Sequence, residues 1–125
     1  MILGTGIDLA EVPRIRQAIE RYGSRFTARV FTPAEIAYVE RKANRYERYA
    51  GRFAAKEAAM KAFGTGWTRG VRWLDIEVRN LAGGKPTLEL HGEAARIAAR
   101  IGVRAISLSL THTAELGLAQ VILES

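Results

Sequence analysis

The chain of 125 residues contains no cysteine, which excludes disulfide bonds and zinc sites built from thiolates. It has no stretch approaching the roughly 18 consecutive apolar residues of a membrane-spanning helix, and no basic region that leads into the apolar run of a secretory signal. With 48% hydrophobic and 26% charged residues, the composition is typical of a soluble globular protein. We therefore expect a single domain over residues 1–125 that works in water, with the cytoplasm as its compartment.

Acidic residues are outnumbered over the whole chain. Nineteen Lys and Arg residues against thirteen Asp and Glu give a formal net charge of +6 at pH 7. Much of the excess lies in the first half of the chain, as Arg14, Arg16, Arg21, Arg25, Arg29, Arg41, Lys42, Arg45, Arg48 and Arg52. Because guanidinium groups pair with phosphates and carboxylates in a bidentate geometry, this composition favours an anionic partner. A solvated basic surface without a partner is the simpler alternative.

The first half of the sequence is mainly helical in its spacing. Pro13 suits the first turn of a helix that Gly23 ends. The segment Thr32-Pro33-Ala34-Glu35 combines a capping threonine, a proline and an acid, which is typical of a helix start. An alanine-rich stretch then predicts a long helix that Gly64 and Gly66 end. The predicted elements are a strand over residues 1–9 and helices over residues 13–22, 32–42 and 46–63.

The second half changes from helical spacing to alternation. Apolar and polar residues alternate from Leu74 to Arg79, and the glycines before Lys85 and Pro86 predict a hairpin turn. A short amphipathic helix over residues 93–101 follows, and residues 104–113 and 116–123 are predicted to form a second pair of strands around the Ala114-Glu115 turn. Helices early and antiparallel strands late indicate the α+β class. The last strand is apolar on both faces, which predicts a subunit interface because a small domain has difficulty covering both.

Two acidic residues stand where apolar residues are expected. Glu57 falls about 40° around the helix axis from Phe53, on the core-facing side of the long predicted helix, with Lys61 one turn later. Asp8 lies on a glycine-lined strand face. For each acid alone the alternatives are a surface ion pair for Glu57 and a helix cap for Asp8. Together they can bind Mg²⁺, which takes one or two carboxylates with phosphate oxygens and retained waters.

The segments around these acids resemble the two signature motifs of the 4'-phosphopantetheinyl transferases. The matching residues are Gly6-Ile7-Asp8 and Phe53-Ala54-Ala55-Lys56-Glu57-Ala58-Ala59-Met60-Lys61-Ala62. The chain length and four further segments resemble the small subtype, the holo-[acyl-carrier-protein] synthases. These segments are Ala50-Gly51-Arg52, Gly64-Thr65-Gly66, Gly84-Lys85-Pro86 and Ser109-Leu110-Thr111-His112-Thr113. The resemblance spans nearly the whole chain.

The resemblance implies a fold and a reaction. The fold is an antiparallel sheet with a long helix packed on it, assembled as a homotrimer with sites at the subunit boundaries. The reaction is the Mg²⁺-dependent transfer of 4'-phosphopantetheine from coenzyme A to a serine of apo-acyl carrier protein in fatty acid biosynthesis, which releases adenosine 3',5'-bisphosphate. The serine hydroxyl attacks the β-phosphate, and its proton passes to Glu57 or to a metal-bound water.

The resemblance also assigns the site residues. Asp8 and Glu57 are the metal ligands, and with Lys61, which stabilises the charge on the leaving phosphate, they form the catalytic set. The implied coenzyme A contacts are Arg52, Lys56, Lys61, Gly64, Thr65, Gly66, Lys85, Pro86, Ser109, Thr111 and His112. Arg14 and Arg21, seven residues apart on one helical face, are the expected docking residues for the strongly acidic carrier protein.

The two histidines are interpreted differently. Taken alone, His112 is more simply an edge histidine, because Ile106, Leu108 and Leu110 share its strand face. The resemblance instead implies that its segment contributes to the coenzyme A site of the neighbouring subunit. His91 falls on the polar side of its strand, and we interpret it as a surface residue.

Two other classes of protein compete with an enzyme. Arginine and tyrosine interleave over residues 45–49, as in nucleic-acid-binding modules. Glu47 interrupts that patch and no RNA-binding motif follows, so helix packing is the simpler interpretation of these tyrosines and we expect no nucleic acid partner. A non-catalytic oligomeric protein would explain the apolar last strand but gives no role to Asp8 and Glu57.

Overall fold

A computed structural model describes residues 1–64 and 70–125 of the protein. The elements in chain order are β1 (Ile2–Glu11), α1 (Val12–Tyr22), α2 (Ser24–Val30), α3 (Pro33–Glu40), α4 (Arg45–Phe63), a 3₁₀ turn (Trp73–Asp75), β2 (Ile76–Asn80), β3 (Pro86–Leu90), α5 (Gly92–Ile101), β4 (Ala105–His112) and β5 (Leu116–Glu124). This order confirms the α+β class. None of the helices in the described ranges is long and apolar enough to cross a membrane.

The strands form two antiparallel sheets. One has three strands in the order β1-β5-β4, and the other is the hairpin of β2 and β3. The register of the larger sheet places Leu118 of β5 between Leu9 of β1 and Thr111 of β4. The predicted pairing of the last two strands is therefore confirmed, and β5 is also the central strand of its sheet.

Helix α4 packs directly on the backbone of β1 and β5 through glycines. A Cβ atom at Gly6 would lie 1.8 Å from the carbonyl oxygen of Ala58, and one at Gly4 would lie 2.1 Å from that of Ala62. Gly117 makes the corresponding approach from β5. Such distances are possible only without side chains, so the glycines set the spacing between the helix and the sheet. The same strand face carries Asp8 two residues after Gly6, and this brings Asp8 beside α4.

The helix ends follow the predicted signals. Thr32 and Glu35 form a reciprocal capping box, in which the Glu35 N–H donates to Thr32 Oγ1 at 3.2 Å and the Thr32 N–H donates to Glu35 Oε1 at 2.8 Å. Gly64 ends α4 in the left-handed conformation, with φ of 77°. Helix α3 ends at Glu40, two residues before the predicted boundary. Helix α2 was not predicted; its Phe26 ring meets Phe31 edge-on, which points to packing rather than intrinsic propensity as its cause.

A buried ion pair joins α3, α4 and β2. Lys56 and Glu35 are both fully buried, and Lys56 Nζ donates to Glu35 Oε1 at 2.8 Å. Lys56 also donates to the carbonyl oxygens of Trp73 at 3.1 Å and Ile76 at 2.6 Å. Glu35 Oε2 accepts from the N–H of Val78 at 2.9 Å. We call these groups the Lys56 network; they fix the start of β2 against α4.

Substitution Gly6→Ala should destabilise the protein, because the new methyl group would collide with the backbone of α4. We expect a loss of about 3 kcal/mol in the free energy of unfolding, the upper end of the usual cost of overpacking. Urea unfolding followed by circular dichroism measures it. The matched control is Gly83→Ala, where an added Cβ meets no atom within 4 Å. Equal stability of the two variants would show that the close contact of β1 and α4 is not required.

Candidate active site

The two acids predicted to act together line one cleft. Asp8, at the end of β1, and Glu57, in the middle of α4, share a cleft of about 410 Å³ that α1 and α2 close on the other sides. Phe53 and Phe26 supply apolar walls, and Arg14 supplies a positive charge. We call this site the carboxylate cleft. Two carboxylates and a cation meeting around an open volume can hold a divalent metal and a phosphate group.

Lys61 is anchored beside Asp8. Its Nζ atom donates to Asp8 Oδ1 at 3.0 Å and to the carbonyl oxygen of Ile7 at 3.0 Å. The Lys61 side chain remains 56% exposed, whereas that of Asp8 is only 18% exposed. The ammonium group is therefore held in place on its protein side and open to a ligand on the other. All three residues of the predicted catalytic set, Asp8, Glu57 and Lys61, lie where β1 meets α4.

Hard oxygen donors from two elements suit Mg²⁺, which rarely takes a full shell of protein ligands. A second group of potential ligands lies in the hairpin, where atoms of Glu77, Glu89 and His91 come within 4.8 Å of one another. Each of these is already paired, Glu77 with Thr32 at 2.6 Å and His91 at 3.0 Å, and Glu89 with Arg79. None of the three lines the carboxylate cleft. Asp8 and Glu57 instead share a cleft with room for an ion, its waters and a phosphate group, so this donor set fits the metal better.

The interpretation of His91 as a surface residue is partly correct. His91 directly precedes α5, and its side chain is 42% exposed. Its Nε2 atom lies 3.0 Å from Oε1 of Glu77 in β2. Glu77 itself is buried, although strand alternation placed it with the outward-facing residues. The hydrogen bonds from Thr32 and His91 compensate its burial.

A second cleft, of about 280 Å³, lies between α3, α4 and β2. Its floor is Arg52, which is 4% exposed, stacks over the Tyr38 ring at 4.5 Å and donates to Asn80 Oδ1 at 2.8 Å. Arg41 and Arg79 add two further guanidinium groups at its rim. Within residues 1–64 and 70–125, the buried Arg52 Nε atom has no hydrogen-bond partner. We call this site the arginine cleft.

Burial lowers the pKa of the Arg52 guanidinium, and the nearby Glu35 carboxylate opposes that effect. A buried guanidinium with an unsatisfied donor is stabilised by an anion. The turn that carries Lys85 and Pro86 borders the same place, because Pro86 pairs with Asn80 across the hairpin. The structure thus brings three of the predicted coenzyme A contacts, Arg52, Lys85 and Pro86, into one region.

Lys56 requires a correction. We expected its ammonium group to contact a coenzyme A phosphate, but it is fully buried and all of its contacts are internal. Burial lowers the pKa of Lys56, and the charge and hydrogen bond of Glu35 oppose that shift. Lys56 lines neither cleft. Its side chain is therefore unavailable to a ligand in this arrangement.

The remaining predicted coenzyme A contacts are dispersed. Ser109 and Thr111 lie on the face of the larger sheet that points away from α4. His112 lies on the opposite face, with Nδ1 3.6 Å from Glu47 Oε2. Gly64 is at the end of α4, and Thr65 and Gly66 lie outside the described residues. One chain alone therefore does not gather all of these residues around one ligand.

The two predicted docking residues lie on the exposed side of α1. Arg14 reaches toward Glu11 at 4.0 Å and also lines the carboxylate cleft. The guanidinium group of Arg21 lies 5.3 Å from the centre of the Tyr22 ring. Both side chains are exposed to solvent. Helix α1 thus presents positive charge directly beside the two acids.

The arginine–tyrosine segment at the start of α4 packs against the protein. Tyr49 is fully buried and its hydroxyl donates to Glu40 at 2.8 Å. Arg45 pairs with Glu40 at 2.9 Å and donates to the Tyr46 hydroxyl. These contacts agree with helix packing, and they leave few aromatic faces available for stacking with bases.

Of the residues that line the arginine cleft, only Arg52 was assigned to a site from the sequence. The described residues that were not assigned are Ala34, Tyr38, Arg41, Val78, Arg79 and Asn80. Arg41 was counted only as part of the positive charge. Nothing local to these positions indicates a cleft, because they belong to α3 with its C-terminal end and to β2, which meet only in the folded chain.

Comparisons with known proteins identify the family of the chain. A family model described as the 4'-phosphopantetheinyl transferase superfamily matches residues 4–117. The holo-[acyl-carrier-protein] synthase of Solibacter usitatus is 69% identical over the full length of both chains. The enzyme of the same name from Koribacter versatilis is 58% identical and covers 99% of each chain.

Solved structures of the same kind share the fold. The Neisseria meningitidis holo-[acyl-carrier-protein] synthase superposes with a TM-score of 0.91, at 32% identity over 100% of both chains. The Bacillus anthracis protein, in complex with coenzyme A (3',5'-ADP), gives 0.82 at 40% identity over 100% of this chain and 98% of its own. These matches confirm the predicted resemblance and fold. The chain therefore belongs to the 4'-phosphopantetheinyl transferase superfamily, as a member of its holo-[acyl-carrier-protein] synthases.

Proposed function

We propose that the protein transfers 4'-phosphopantetheine from coenzyme A to a serine of apo-acyl carrier protein in fatty acid biosynthesis. The observation that carries this proposal is that Asp8 and Glu57 line one open cleft beside a basic helix, with Lys61 paired to Asp8. Relatives with the same fold are named for this activity, and one of them is a complex with coenzyme A (3',5'-ADP).

The reaction exchanges one phosphorus–oxygen bond for another. The serine Oγ atom bonds to the β-phosphorus of coenzyme A, the bond from that phosphorus to the bridging oxygen breaks, and adenosine 3',5'-bisphosphate leaves. The serine proton passes to Glu57 or to a water molecule in the cleft. Lys61, anchored to Ile7 and Asp8, donates a hydrogen bond to the leaving phosphate as its charge increases.

Asp8 and Glu57 would hold Mg²⁺ in the carboxylate cleft. When bound, the ion supplies positive charge that stabilises the diphosphate of coenzyme A as it breaks. The low exposure of Asp8 holds its carboxylate in a fixed position. The Lys61 ammonium group offsets the charge of that carboxylate before the ion binds. The apolar rings of Phe26 and Phe53 limit the access of water.

The arginine cleft binds another phosphate of coenzyme A. Arg52 and Glu57 are five residues apart, so they project about 140° apart around α4 and cannot face one ligand from the same chain. Coenzyme A therefore lies between the carboxylate cleft of one subunit and the arginine cleft of its neighbour. Ser109, Thr111 and His112 contribute to this shared site.

A homotrimer accounts for the open face of the larger sheet. Ile7 is 57% exposed and lies opposite Gln120 of β5, and Leu9 is 58% exposed and lies opposite Leu118 on the same face. Exposed apolar residues on neighbouring strands are typical of a subunit interface. The opposite face of β5 is buried under α4.

Carrier-protein modification tests the activity. Incubation with coenzyme A, Mg²⁺ and apo-acyl carrier protein should add the mass of phosphopantetheine to the carrier, as read by mass spectrometry. Glu57→Gln and Asp8→Asn should each lower kcat on the order of a hundred-fold, because each removes a charge at the reacting diphosphate. Glu115→Gln, at an exposed turn, is the matched control. Near-full activity of either cleft variant in a folded protein would count against the assignment.

Charge reversal on α1 tests the docking of the carrier. Arg21→Glu should raise the KM for the carrier about ten-fold while the KM for coenzyme A stays unchanged, because Arg21 lies outside both clefts. Steady-state kinetics at two ionic strengths provide the measurement, since an electrostatic effect weakens with salt. Arg104→Glu makes the same change of charge on an exposed residue before β4. If that control raises the KM equally, net charge rather than a docking helix controls binding.

Disruption of the open sheet face tests the assembly. The wild-type chain of 13.8 kDa should elute as a trimer in size-exclusion chromatography with light scattering. Leu118→Asp places a charge on the apolar face and should give monomers without transferase activity. Leu81→Asp, at a hairpin residue that is 54% exposed, should remain trimeric and active. A monomeric wild-type enzyme with full activity would refute the shared site.

A further inference from the structure

The Lys56 network lies one layer beneath the arginine cleft. The cleft is formed by α3, α4 and β2, and the network joins the same three elements. Glu35 contributes from α3, Lys56 from α4, and the Val78 N–H from β2.

The spacing along each element places the cleft residues directly over the network. On α4, Arg52 precedes Lys56 by four residues, so the two side chains lie on the same helical face. On α3, Tyr38 follows Glu35 by three residues and also shares its face. On β2, Asn80 follows Val78 by two residues, the period of a strand. Each network group is therefore within one helical turn or two strand residues of a cleft residue, so a displacement of the network group also displaces that cleft residue.

The bonding of the network is complete. Lys56 uses its three donors on Glu35, Trp73 and Ile76. The Glu35 carboxylate accepts from Lys56, from the Thr32 N–H and from the Val78 N–H. Stability alone does not explain such a pair. Apolar residues of similar volume can often replace a buried ion pair without lowering the free energy of unfolding. Directional bonds add fixed distances between the elements.

We propose that Lys56 and Glu35 are positioning residues for coenzyme A. They hold the Arg52 and Tyr38 side chains and the β2 backbone at the separation that a bound phosphate needs. This inference rests on the proposed function, in which the arginine cleft takes a phosphate of coenzyme A. Lys56, one residue before Glu57, thus serves the substrate from within the core, without touching it.

The geometry of the cleft makes this positioning necessary. Arg52 already donates to Asn80 and stacks on Tyr38, and these two contacts fix the orientation in which its guanidinium group meets an anion. Bidentate binding of a phosphate by a guanidinium group tolerates little displacement. If the three elements moved apart, the guanidinium groups would still be present but would no longer point at the bound phosphate.

The test compares substrate binding with stability. Two variants are compared with the wild type. Lys56→Met removes the ammonium group, and the double variant Glu35→Gln/Lys56→Met removes both charges. Glutamine is chosen at position 35 because its side chain can still form the capping box. We expect each folded variant to raise the dissociation constant for adenosine 3',5'-bisphosphate, measured by calorimetry, on the order of ten-fold. The KM for coenzyme A should rise in parallel, whereas the KM for the carrier protein stays at the wild-type value.

The control is Ile97→Ala, which empties a buried position on α5, an element that lines neither cleft. All measurements are made at a temperature where the far-UV spectra match that of the wild type. Wild-type binding by the folded network variants, or an equal loss of binding in Ile97→Ala, would overturn the positioning role. Failure of the wild-type protein to bind coenzyme A or to modify the carrier would instead reject the proposed function.

Discussion

The contact of α4 with the bare backbone of β1 and β5 is the constraint on which the rest of the structure depends. Gly6 lets the Ala58 carbonyl approach the strand to a distance that any side chain would prevent. Because Asp8 follows Gly6 on the same strand face, this contact also decides how close Asp8 comes to Glu57 and Lys61. The site is therefore a consequence of packing, and the helix cannot move outward without separating the two carboxylates.

Helix α4 also serves as the shared wall of two clefts that bind different parts of one substrate in the proposed function. Its alanine-rich face lies against the sheet, while Glu57 and Arg52 project in different directions toward the carboxylate cleft and the arginine cleft. The close contacts of Gly4, Gly6 and Gly117 fix the helix on the sheet. The bonds of Lys56 to Glu35 and Ile76 tie its other side to α3 and β2.

Local signals in the sequence were sufficient for every element of the main core except α2, and for the two acids of the carboxylate cleft. The Thr32 cap, the Gly64 stop and the spacing of Glu57 and Lys61 all depend on residues within one or two turns. Features that depend on distant partners were missed or misassigned. Lys56 was assigned to coenzyme A, and its true partner, Glu35, could not be identified because it is 21 residues away. The arginine cleft has no local signature at all.

The period of a β-strand limits what one chain can contribute to the coenzyme A site. Thr111 and His112 are adjacent in β4, so their side chains lie on opposite faces of the sheet. Two such residues cannot hold the same part of a ligand from one side of the strand. If the whole segment serves coenzyme A, its two faces act in different ways: His112 lies on the α4 side near Glu47, and Thr111 on the open face. A site at the boundary between subunits is compatible with both positions, because the open sheet face of one subunit, which carries Thr111, then lines a site shared with the next subunit.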